Sequence, residues 1–252
     1  MNTNLAHEFY KMTHQRSSWW VVPVLLGLML YSSTPTAYIT KGLVAQGFGA
    51  GQWTIIIMIA LSANFVTMEY RNNTMTTLLY KSPNRQIVFF TKLIVLLLYG
   101  LFLLLISFLF ALGLKLLLVN NRFSWEADFH QHTLINALII NLTGVGIYLL
   151  FTITLSLLLV SLVKSNAAVI IIGLFIGFLG ANISGVMMQA FPGLESVIAW
   201  NPLNMINVIT QLSNRSVMKL TMLSNDELII GNLIYAVIFL VAGLWAFKKR
   251  NQ

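Results

Sequence analysis

The sequence predicts an all-α integral membrane protein: six transmembrane helices, an N-terminal interfacial helix, and a short cytoplasmic helix between spans two and three. Three observations lead there. Only 9% of the 252 residues are charged, against about 25% in a typical soluble domain, and 58% are apolar. So few charges cannot clothe a globule of this size, which excludes a soluble domain, and a mean hydropathy of +0.80 excludes a disordered chain. Secondly, the apolar residues fall into runs near or above the roughly 20 residues that a bilayer crossing needs. Thirdly, the basic residues alternate between rich and poor connecting segments. Cysteine is absent, so disulfides, thiolate nucleophiles and Cys-based metal sites are excluded.

Taken in order, residues 1–18 read as a cytoplasmic interfacial helix. Leu5, Phe9 and Met12 form its apolar stripe, Lys11 and the histidines His7 and His14 lie on other sides, and Trp19 and Trp20 mark the headgroup level. A tail that frays into a helix near lipid is the alternative. No signal peptide is expected, because a charged stretch precedes the first apolar run and no small-residue cleavage pattern closes it. A transmembrane domain follows over 19–247, with spans at 19–39, 48–68, 87–119, 133–163, 167–190 and 228–247, and 248–252 form a basic tail. The second span opens weakly and gains strength from Trp53 onward. The third and fourth are long enough to tilt or project. The run 93–114 holds no charge, with Lys92 and Lys115 expected to snorkel at its two ends.

With both termini cytoplasmic, Lys11, Arg16, Arg71, Lys81, Arg85, Lys92, Lys164, Lys248, Lys249 and Arg250 fall inside, and only Lys41, Lys115, Arg122, Arg215 and Lys219 outside. Glu8 and Glu69 are the inside acids, so the whole net charge of +8 sits on the inner side. That balance reports orientation in a cell membrane, and no nucleic-acid partner is expected.

The richest connecting segment runs from Glu69 to Lys92. Met75, Leu78 and Leu79 share one side of a short helix that Pro83 ends, and Asn84 is placed to cap span three. An apolar edge with a basic rim suits a docking surface, while an ordinary positive-inside loop has the same composition. The run Glu69, Arg71, Thr74, Met75, Leu78, Leu79, Pro83, Arg85 and Lys92 resembles the cytoplasmic signature of type-2 ABC exporter permeases. The resemblance covers essentially the whole chain and is closest in look to bacitracin- and lantibiotic-resistance permeases. It implies that this segment is the coupling helix resting on a separate P-loop ATPase subunit. It also implies that a second permease copy or a paralogue completes the transporter. Family members often carry Gly before the Thr, where this chain has Asn73.

Within the spans, Gly173, Gly177, Ala181 and Gly185 make a small-residue stripe for close helix packing, either within the chain or between two half-transporters. Asn141, Tyr148, Thr152 and Ser156 form a polar face on span four, either lining a translocation path or bonding between helices. Outside, 191–227 reads as re-entrant or as a surface loop. Glu126, Asp128, His130 and His132 read as a solvated loop in preference to a metal site.

No acid or base lies mid-span to serve as a proton or sodium relay, and no Gly-x-x-x-x-Gly-Lys loop is present. Energy is therefore expected from a partner, with ATP and Mg on that partner and no cofactor or metal in this chain. Facing acids, a Ser–His dyad and a zincin pair are lacking at membrane depth, so no catalytic activity is expected. The expected function is the permease subunit of an ATP-driven exporter of a hydrophobic or amphipathic substrate, such as an antimicrobial peptide or drug. A channel or passive assembly subunit is the alternative.

Overall fold

The computed structural model describes residues 2–34, 36–72, 85–119, 122–163 and 165–250. Apart from one hairpin of two-residue strands, the regular structure of the described residues is helical. Its long helices are α1 (Asn2–His14), α2 (Arg16–Ser32), α4 (Ala50–Arg71), α5 (Arg85–Leu114), α6 (Leu134–Leu162), α7 (Asn166–Ala190) and α11 (Asn225–Arg250). A five-residue helix, α3 (Lys41–Ala45), precedes α4, and α8 (Glu195–Ile198), α9 (Val208–Gln211) and α10 (Met218–Thr221) lie between α7 and α11. Among the described residues, five helices are long and apolar enough to cross a membrane, namely α4, α5 with its extension, α6, α7 and α11. The chain is a multi-pass α-helical membrane protein.

The expected first span is shorter than its apolar run. α2 has 17 residues, about 25 Å, against a hydrocarbon core of about 30 Å. Its last turn is closed by hydroxyls: Ser32, Ser33 and Thr34 donate to the carbonyls of Leu28, Leu30 and Tyr31. The backbone tightens there too, the Ser33 N–H dividing between Met29 O and Leu30 O and the Thr34 N–H turning to Tyr31 O. The chain then makes a 3-10 turn (Thr36–Tyr38) and α3, whose first turn is capped by Thr40. Gly47, Phe48 and Gly49 all have positive φ, and this left-handed turn buries Phe48 completely before α4 begins at Ala50. The second span thus starts two residues later than its expected boundary.

α4 and α6 are the inner pair, each with 61% of its spanning window buried, whereas α7 and α11 have only 22% and 28% of theirs buried. α11 lies along α6, where Gly243 lets the backbone at Leu158 approach closely and Phe151, Tyr235 and Phe239 interlock their rings. Thr133 and Ser165 cap α6 and α7. α5 runs on as a π-helical turn (Lys115–Val119). The expected snorkelling of Lys92 and Lys115 is corrected here: both side chains are buried, Lys92 in an ion cluster and Lys115 5.0 Å over the ring of Trp125. At that end of the molecule, β1 (Asp128–Phe129) pairs antiparallel with β2 (His132–Thr133) across a tight turn in which His130 and Gln131 have positive φ. Lys41 and Arg122 tie this hairpin region to the α2–α3 connection by donating to the carbonyls of Asp128, Thr36 and Ala37.

Between α7 and α11 the chain turns back into the bundle, as a re-entrant segment would. Its carbonyls are met by side chains of the long helices: Asn141 donates to Ile209 O at 2.7 Å, Asn232 to Met205 O at 3.1 Å and Tyr235 to Trp200 O at 2.8 Å. Asn201 reaches Ser184, and Asn204 and Gln211 bond to backbone within the segment. Backbone polar groups packed among helices need such partners because apolar side chains offer none. Gly144, about 15 Å along α6 from Leu134, makes the room: a Cβ there would stand 2.5 Å from Val208 O.

Gly144→Ala is therefore expected to destabilise the protein by about 1–3 kcal/mol, the usual cost of overpacking. Gly113→Ala, where nothing lies within 4 Å, is expected to be neutral or mildly stabilising. Thermal unfolding of the two variants in detergent checks this, and equal melting temperatures would refute the close approach.

Candidate functional site

The helix pattern places charge on the inward face of α1. Glu8 and Met12 are buried, Leu5 and Lys11 half-buried, and Phe9 and Tyr10 lie exposed on the other side. Of the expected stripe, Phe9 is 50% exposed, whereas Glu8 is 2% exposed. The reason lies in the partners. Glu69 in the last turn of α4 and Lys92 near the start of α5 are both buried, and α1 packs its acid and base against them.

The four side chains form an alternating ring. Lys11 Nζ lies 2.9 Å from Glu8 and also bonds Glu69, while Lys92 Nζ lies 3.1 Å from Glu8 and 2.6 Å from Glu69. Two carboxylates and two ammoniums cancel, so the cluster is neutral as a whole. The ring of Phe65, one turn before Glu69, floors it, with Lys11 4.6 Å and Lys92 5.2 Å from the centroid. Gln15 donates to Met68 Sδ, and Tyr99 on α5 donates to Ser18 O at 2.6 Å, so the contact continues from α1 into α2. Burial by itself would raise the Glu8 carboxyl. The ammoniums of Lys92 and Lys11 outweigh that and hold it below its ordinary 4.5. Burial would likewise lower Lys11, but Glu69 and Glu8 hold it above its ordinary 10.5.

Geometrically this is a clasp. Glu69 and Lys92 stand on either side of the segment that the sequence marks for docking, and α1 locks both. Of the expected coupling residues, Glu69 and Lys92 are thus joined, Arg71 is exposed at the end of α4, and Arg85 opens α5. Thr74, Met75, Leu78, Leu79 and Pro83 lie outside the described residues. Sequence reading did not assign Glu8 and Lys11 to a site. Their spacing on the Met12 side of an amphipathic helix was the available signal.

The other expected sites fall elsewhere. Gly173 meets Ile59 and Gly177 meets Ile56, so this part of the stripe packs against α4 of the same chain, while a Cβ at Gly185 would have open space. Asn141, Tyr148, Thr152 and Ser156 are all buried within the bundle. Asn141 holds the re-entrant segment, Thr152 bonds back to Tyr148 O, and Tyr148 stacks on Phe151. Among the described residues no three His, Asp or Glu gather as a metal site.

Removing one charge from the clasp leaves a buried partner uncompensated, at a cost of about 3–5 kcal/mol. Glu69→Gln and Lys92→Gln are each expected to destabilise on that scale, and the double variant by clearly less than their sum, because Glu8 and Lys11 still pair. Additive losses in a thermal-unfolding cycle would refute the ring. The pH dependence follows from the signs. Glu8 is depressed, so the penalty of Glu8→Gln should be complete above pH 4.5 and fade as pH drops through the lowered value. Lys11 is raised, so the penalty of Lys11→Met should be complete below pH 10.5 and fade as pH climbs through the raised value. Melting temperatures of wild type and variants across pH read both.

Compared with known proteins, the chain has no match among curated sequences. A family model described as protein of unknown function (DUF2705) matches residues 8–252, nearly the entire chain. The chain belongs to the DUF2705 family.

Proposed function

We propose that this chain is the permease subunit of an ATP-driven exporter, coupled through segment 74–83 to a separate P-loop ATPase. The observation that carries the reading is the clasp. The motif's first and last residues, Glu69 and Lys92, are held together and to α1, so a push on the intervening segment reaches three helices as one body. In this reading α2 is the sixth crossing, both termini face the cytoplasm of a cell membrane, and a second copy or paralogue completes the transporter. ATP-driven closure of the ATPase pair displaces the clasped helices against the rest of the bundle, and alternating access follows from two arrangements of packed helices. The substrate is hydrophobic or amphipathic, on the model of antimicrobial peptides and drugs. The chain performs no catalysis itself, and ATP and Mg sit on the partner. The long helices carry no mid-span acid or base that could relay ions, which favours an external energy source.

Affinity purification through a C-terminal tag from native membranes, with ATPase assays on the eluate, tests this. A P-loop ATPase is expected to co-purify and to be lost in Leu78→Asp/Leu79→Asp. If the chain elutes alone and the double substitution changes nothing, the permease reading fails and a channel or passive assembly subunit takes its place.

A further inference from the structure

A second feature lies at the opposite end from the clasp. Between α4, α6, α7 and the re-entrant segment is a cavity of about 160 Å³. Gln46 and Gln52, both exposed, stand at its mouth, and Asn141, Asn207 and Thr210 line it further in. Among the described residues, no charged side chain lines it. Its most informative atom is Asn141 Oδ1. The Asn141 side chain is 1% exposed, and its Nδ2 donates to Ile209 O at 2.7 Å, which fixes which end of the amide is oxygen. That oxygen is buried and has no hydrogen-bond partner, and it lies on the side of Gly51, which also lines the cavity.

A buried acceptor without a donor is destabilising, so the site favours a guest that brings an N–H or O–H. Four carboxamides converge here, each a donor beside an acceptor. Their complement is a group with the same pair reversed, which an amide presents. The absence of any counter-charge rejects free carboxylates and ammoniums, since an unpaired charge at this depth is strongly disfavoured. Size agrees, because a cavity of about 150 Å³ takes a benzene ring and so this one takes about six non-hydrogen atoms. An amide with its two flanking carbons fits that limit. We infer that this cavity binds an uncharged amide group, its N–H donated to Asn141 Oδ1 and its carbonyl received by the glutamines at the mouth. The site does not depend on an ATPase partner, so it stands or falls separately from the permease reading.

The test uses the full chain in lipid nanodiscs, photolabelled with a small alkyl-diazirine secondary amide, its matched ester and its matched alcohol. Labelled peptides are mapped by mass spectrometry. The amide is expected to label peptides holding residues 46–55 and 204–210 about five- to tenfold more than the ester, which lacks the donor. Ala181→Leu, which fills the cavity, is expected to abolish that labelling with an unchanged melting temperature. Gln52→Leu, at the exposed mouth, is expected to reduce it several-fold and decides the matter if the first variant does not fold. Ester or alcohol labelling equal to the amide would overturn the assignment. So would amide labelling that survives both substitutions, or none above that of heat-unfolded protein.

Discussion

Glu8, Lys11, Glu69 and Lys92 are four charges drawn together at one end of the bundle, with Glu8, Glu69 and Lys92 closed off from water. Each ion gives up several kcal/mol of hydration on burial, and that loss is offset only while all four partners are present. The consequence is geometric more than energetic. An apolar contact tolerates sliding, whereas an alternating ring of two acids and two bases has one register. It fixes α1 against α4 and α5, and through Tyr99 it fixes the start of α2. The N-terminal helix is thereby part of the bundle, and its aromatic residues Phe9 and Tyr10 stay exposed.

The far end of the molecule solves a different problem by different means. There the chain folds short helical turns back among long helices, where backbone polar groups would otherwise lack partners. Glycine supplies the space at Gly144, and asparagine supplies the donors at Asn141 and Asn232. Uncharged amides meet the requirement without the hydration penalty of ions. The two ends therefore differ in chemistry, ionic and rigid in register at one, amide-lined and hollow at the other. α4 and α6, the most buried pair, run between them.

Much of this was legible in the sequence where one property dominated a long run. The apolar stretches of α5, α6, α7 and α11 needed only length and hydropathy. The first span was overestimated because the apolar run continues past the point where the Ser33 N–H divides between the Met29 and Leu30 carbonyls and the Thr34 N–H turns to Tyr31 O. That competition is local, and composition hides it. The return of the re-entrant segment depends on pairs such as Asn141 with Ile209, 68 residues apart, which no periodicity encodes. The clasp was half legible. Glu69 and Lys92 stand out as charges at the edges of apolar helices, but Glu8 reads only as an inside acid and Lys11 as a residue off the apolar stripe, since spacing on one helix does not name the helix it will meet.

The central claim is that the clasp holds the N-terminal helix to both edges of the segment between α4 and α5. The chain has no cysteine, so spin labels can be placed without background at the exposed positions His7 and Asn72. Their distance distribution, measured by pulsed electron paramagnetic resonance in nanodiscs, reads the claim directly. The account predicts one narrow distribution for the otherwise wild-type chain and a broad, shifted one with Glu69→Gln. A distribution that is broad from the outset, or one that Glu69→Gln leaves unchanged, would contradict it.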